Sequence, residues 1–168
     1  SAEPALVAVP GSRVDILRSV LGPDTERVRF VDMAQAGRNP GRIIPTVLHA
    51  FAREHPAGRV RIVGEPIWPG RSAAEYRAGL QHEALINIAL ADEQATILCP
   101  YDLQGLDTVA LADARKTHPV LIEGELREVS PDYGDPGAVA DASLQSLPDI
   151  PEWWGDMRVF SSADDLRS

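Results

Sequence analysis

The chain has 168 residues, and its 25 acidic against 16 basic side chains give a formal charge of −9. Such a surface is soluble and repels phosphate, so nucleic acids and anionic membranes are poor partners. No run of about 18 apolar residues could span a membrane, and no basic segment followed by an apolar one reads as a signal peptide. The single cysteine, Cys99, has no internal disulfide partner, which fits a reducing cytoplasm.

In chain order, residues 5–9 ("ALVAV") form an apolar run closed by Pro10-Gly11 and predict a strand buried on both faces. A helix follows, with Ser12 and Asp15 as a capping box, Val14, Leu17 and Leu21 on one face, and Gly22 as its stop. Residues 27–33 predict a second strand. After the loop "QAGRNP", Asn39 caps a helix through Ile43, Val47 and Phe51, in which Pro45 is an awkward member. Residues 60–64 predict a third strand, and "EPIWPGR" a loop. Ser72 and Glu75 then form a capping box for a helix to about Leu90. Residues 95–99 predict a fourth strand ended by Pro100. Asp107 caps a helix to about Lys116, and residues 120–123 start a fifth strand, continued either as one bulged strand or as a hairpin about Glu123-Gly124.

Strand and helix alternate four times, which implies an α/β fold with a mainly parallel sheet and helices on both faces. This unit covers residues 1–129. Residues 130–152, rich in proline, glycine and aspartate, read as a linker, and residues 153–168 as the lead-in to a further domain.

Several chemistries lack their motifs. There is no G-x-x-x-x-G-K-[ST] and no G-x-G-x-x-G after a strand, and the lone lysine is Lys116. His49, His55, His82 and His118 include no i, i+4 pair, "HEALI" lacks the second histidine of a zincin helix, and no G-x-S-x-G occurs. No catalytic residue, cofactor or metal is therefore expected.

What remains is a set of polar residues at strand ends, where doubly wound sheets bind ligands. Asp32 follows strand two, Glu65 and Trp68 follow strand three, and Cys99, Tyr101 and Asp102 follow strand four. The helix after Arg71 adds Tyr76, Glu83 and Asn87 on its more apolar face. A carboxylate there needs a partner, and Asn87 or an arginine such as Arg61 could supply it. Each residue also has a plainer role. Cys99 is a small buried hydrophobe, Asp102 caps a turn, Trp68 covers the sheet edge, and Glu65 pairs with an arginine. His82 falls off the Glu83 face and reads as solvated, and His118 as a loop residue.

The segments "LVAVPG", "VRFVDM…GRNPGRIIP", "VRIVGEPIWPGRSAAEY", "QHEALINIAL", "ILCPYD" and "LADARKTHPVL", in this order, resemble the MEDS domain. This is the methanogen/methylotroph sensory domain, here of the type at the front of bacterial anti-sigma-factor-type regulators. The resemblance runs from about Pro4 to about Val120. It implies a three-layer, RecA/KaiC-like fold without the phosphate loop. It further implies a non-catalytic cytoplasmic domain that senses a small molecule, such as a hydrocarbon derivative, and controls an attached histidine-kinase-like ATPase of the serine kinase type. The family's motif positions fall on Glu65, Trp68, Glu83, Asn87, Cys99, Tyr101 and Asp102. Relatives usually begin with a further strand and a histidine-bearing helix, whereas this chain starts at "EPALVAVP".

Two other readings stand beside ligand sensing. One is a ligand-free interaction or homodimerisation module anchored by Trp68, Trp153 and Trp154. The other is an enzyme using Cys99 as nucleophile, which lacks a nearby cation to activate the thiol.

Overall fold

A computed structural model describes residues 3–36 and 40–144. Trp153, Trp154, the cap at Asn39 and the expected lead-in at 153–168 lie outside the described residues.

The apolar run at the start forms strand β1 (Ala5–Val9), central in a parallel sheet with β2 (Val28–Asp32), β3 (Val60–Gly64) and β4 (Ala95–Leu98). The strand order is β2-β1-β3-β4. Alternation along β1 divides the core between two faces. Val7 and Val9 meet Val14 and Leu17 of helix α1 (Gly11–Leu21), together with Val28, Phe30 and Val63. Leu6 and Ala8 face the other way, into a larger core with Ile62, Leu48, Phe51, Ile86 and Leu90. Helices cover both faces, so the fold is the expected three-layer α/β arrangement. β1 is buried on both sides, which is why its sequence is apolar throughout.

The larger core is closed by α2 (Met33–Ala36), α3 (Pro40–Ile43), α4 (His49–Arg53) and α5 (Ala73–Ala89). Between α3 and α4 the chain opens into a π-helical turn, Ile44–Leu48, around Pro45. A proline in a helix interior removes one backbone donor, and the wider turn accommodates that loss. Ser72 and Glu75 form the reciprocal capping box of α5, as expected. Asp107 caps α6 (Thr108–Thr117), its Oδ1 accepting from Ala110 N at 2.8 Å.

The structure corrects three expectations and decides a fourth that was open. α1 begins at Gly11 directly after Pro10, and no side chain caps it, because Ser12 is already inside the helix. β4 stops at Leu98, one residue before Cys99. Of the two continuations open to the fifth strand, the hairpin about Glu123-Gly124 is the one formed, and it stands apart from the sheet. β5 (Val120–Glu123) pairs antiparallel with β6 (Leu126–Val129) in a separate hairpin, turning through Gly124 at a φ of 59°. Within the stretch expected to be irregular, residues 136–142 form helix α7 (Pro136–Ala142). Asp135 caps it, Pro136 opens its first turn, and the helix packs along α5.

Candidate functional site

The chain passes from β2 on one side of β1 to β3 on the other, so the crevice at the carboxyl ends of β1 and β3 is the topological switch point. Glu65 stands there, its backbone N–H extending the β3–β1 ladder to Ala8 O at 2.9 Å. The side chain is 1% exposed, and Arg13 Nη1 of α1 lies 2.5 Å from its Oε1. Burial raises the Glu65 carboxyl above its ordinary value. Arg13 opposes this, and the charge of Asp102 adds to it. The arginine partner foreseen for Glu65 is thus Arg13. Asp102 itself accepts from the backbone N–H of Gln104 at 3.1 Å and Gly105 at 2.9 Å, so it holds the turn after β4. Asp32 does the same after β2, accepting from Ala34 N at 2.9 Å.

A second cluster forms where α5, the loop after β4 and the end of α6 meet. Glu83 of α5 is 2% exposed. The Tyr101 hydroxyl donates to its Oε2, while its Oε1 is buried without a hydrogen-bond partner. Asn87, one turn on, does not satisfy the carboxylate. Its Nδ2 donates to the backbone carbonyls of Glu83 and Thr117, both at 2.9 Å, and so ties α6 to α5. Arg61 does not reach Glu83 either, being exposed and paired with Glu3. The Cys99 thiol and the His118 ring complete the cluster. One donor atom each from Glu83, Cys99 and His118 lie within 4.8 Å of one another.

Burial dominates the electrostatics of this cluster. It pushes the Glu83 carboxyl up to about 8, opposed by the hydrogen bond from Tyr101 and, less strongly, by the neighbouring Thr117 hydroxyl. It also raises the Cys99 thiol, with the Glu83 charge adding to the effect. That is opposite to the shift a cysteine nucleophile requires, so the thiol-enzyme reading has no support here. Tyr101 is raised by burial and by Glu83. His118 is lowered by burial, which keeps its imidazole neutral. Its ring stands edge-on to Tyr101 with centroids 5.5 Å apart.

Apart from Asp32, the residues singled out from sequence fall into separate groups. Glu83, Asn87, Cys99 and Tyr101 come together, while Glu65 pairs with Arg13 and feels the charge of Asp102. Trp68 packs on the larger core beneath the Arg71 guanidinium, 4.0 Å from the ring centroid. The Tyr76 hydroxyl donates to Asp113 Oδ2 of α6 at 2.7 Å. Sequence reasoning missed His118 and Thr117. His118 is not a loop residue but the C-cap of α6, with Nδ1 2.8 Å from the carbonyl of Ala114. His82 is likewise buried rather than solvated, on the same stripe of α5 as buried Gly79 and Ile86. A surface recess lined by His55, Val60, Asp92 and Gln94 lies at the opposite, amino-terminal edge of β3 and β4.

Among the described residues no helix is long and apolar enough to cross a membrane. No curated protein and no solved structure matches the chain. Residues 1–119 match the family described as MEDS, the methanogen/methylotroph, DcmR sensory domain. The matched stretch contains β1 to β4, α6 and every residue of the Glu83 cluster, and the chain belongs to this family of sensory domains.

Proposed function

We propose that this sensory domain is non-catalytic and binds a small molecule at the carboxyl edge of its sheet, with Glu83, Asn87, Cys99 and Tyr101 as the central group. Glu65, Trp68, Tyr76 and Asp102 shape the surrounding edge. The observation that carries the reading is the Glu83 carboxyl, enclosed by protein with Oε1 left open. Folded proteins seldom bury a polar atom without a partner, and where they do a ligand or functional role is a ready explanation.

The same geometry supplies a route to an output. Glu83 is on α5, and α7 packs along α5 next to α6. A ligand that moves Tyr101 or Glu83 changes the surface on which α7 rests, and α7 leads towards the C-terminal segment. In this reading the controlled partner is an attached anti-sigma-factor-type serine kinase with a histidine-kinase-like ATPase domain, acting in the cytoplasm. A thermal-shift screen with short-chain alcohols, aldehydes and carboxylic acids tests it. Ligands should stabilise the wild type and have no effect on Glu83→Gln. A screen in which no compound separates the two proteins rejects the reading.

A second reading, a protein-interaction or dimerisation module, is favoured by the β5–β6 hairpin, where Ile122, Leu126 and Val129 are 60%, 62% and 78% exposed. Sedimentation at several concentrations distinguishes it. Self-association that disappears on Ile122→Lys favours it, and a monomer throughout counts against homodimerisation.

A further inference from the structure

We propose that Glu83, Cys99 and His118 form a binding site for one transition-metal dication of the zinc class. The proposal goes beyond small-molecule sensing, since it needs neither an organic ligand nor an output domain.

The three donors come from α5, the loop after β4 and the end of α6, yet one ligand atom from each lies within 4.8 Å of the others. Tetrahedral coordination with bonds of about 2.0–2.3 Å places donors roughly 3.3–3.8 Å apart. Closing the cluster onto an ion therefore needs side-chain shifts of about an ångström, not a rearranged backbone.

Independent features of the cluster point the same way. Glu83 Oε1 is buried without a hydrogen-bond partner, so a lone pair is available. Its other oxygen is held by Tyr101, as metal-ligating carboxylates are held by outer partners. His118 is oriented by the same logic. Its Nδ1 donates to the Ala114 carbonyl at 2.8 Å, which leaves the lone pair on Nε2. One carboxylate oxygen, one imidazole nitrogen and one thiolate sulfur suit zinc and exclude magnesium or calcium, which take oxygen ligands.

Charge balances as well. Glu83 and Cys99 each supply one negative charge as carboxylate and thiolate, and His118 binds as a neutral imidazole. A dication bound by this set buries no net charge. Three protein donors leave a fourth tetrahedral position for water or another small ligand.

Cobalt(II) titration of the reduced, metal-stripped 168-residue protein tests the site. One equivalent should produce tetrahedral d–d bands and a thiolate-to-cobalt charge-transfer band, both erased by zinc. Cys99→Ser should abolish the charge-transfer band. His118→Gln and Glu83→Gln should weaken binding by at least the roughly 10–100-fold that loss of an outer-shell partner costs, and Tyr101→Phe by about that amount. In case Cys99→Ser does not fold, zinc protection is measured on the wild type, where it should slow Cys99 alkylation about tenfold or more. Absence of the charge-transfer band in folded wild type, its persistence in folded Cys99→Ser, or alkylation unaffected by zinc overturns the proposal. Small molecules bound by metal-stripped protein would support the sensory reading separately, so the two can fail independently.

Discussion

Removing Arg13 exposes how the switch-point crevice is held together. Arg13→Met keeps most of the side chain's apolar volume and deletes the charge 2.5 Å from Glu65 Oε1. Glu65 is 1% exposed, so water cannot replace the guanidinium. Breaking a buried pair by removing one partner costs about 3–5 kcal/mol. Because Arg13 is itself 40% exposed, the lower end of that range, about 3 kcal/mol, is expected here. The cost depends on pH with a definite sign. Burial already raises the folded Glu65 carboxyl above its ordinary value, and losing Arg13 raises it further. A raised folded pKa means the folded state holds the proton more tightly. Stability is then greatest below the unfolded carboxyl value and falls as pH rises through the folded one. The Arg13→Met deficit should therefore be largest near neutrality and shrink as pH is lowered towards 4.5, the ordinary value. Adding Glu65→Gln removes the stranded charge and should recover about 1–3 kcal/mol. Urea denaturation of the wild type, both single variants and the double variant gives all four free energies. An Arg13→Met loss below about 1 kcal/mol, unchanged between acid and neutral pH, refutes the reasoning.

Three further outcomes follow from the Glu83 cluster. Tyr101→Phe strips the donor from buried Glu83 Oε2 and should cost about 1–3 kcal/mol by urea denaturation, an effect absent if the carboxyl were solvated. Asn87→Ala cuts the hydrogen bond that joins α5 to the end of α6, so hydrogen exchange should speed up in α6 before β1, whereas uniform acceleration would contradict this local role. Cys99, with its thiol raised by burial, should react with iodoacetamide at least about tenfold more slowly in native protein than in urea, and equal rates would show an accessible thiol.

Much of the fold is legible in the sequence because local signals agree with burial. "ALVAV" is apolar on both faces because β1 has helices on both sides, and Ser72 with Glu75 marks the start of α5 without tertiary help. Glu83 in mid-helix on an apolar face carries a clear signal, since a buried carboxylate must be satisfied. Its partner is less legible. Asn87 is four residues away and the right distance, but tertiary packing turns it to Thr117, while Tyr101 arrives from another element. His82 misleads because α5 is buried on more than one face, by the sheet on one side and by α6 and α7 on others, which blurs its period. The α7 helix has only seven residues, too few to show a period, although Asp135-Pro136 is a readable start signal. His118 carries none. The three-donor group joins residues 83, 99 and 118 from three elements, and no spacing rule reveals a cluster that only the fold assembles.

Native mass spectrometry tests most directly whether the Glu83 cluster is where this sensory domain takes its ligand. The metal-stripped protein would be incubated with short-chain alcohols, aldehydes and carboxylic acids, one at a time. A one-to-one adduct with at least one compound is predicted for the wild type and should disappear in folded Glu83→Gln. No adduct with any compound, or one retained equally by Glu83→Gln, would contradict the account.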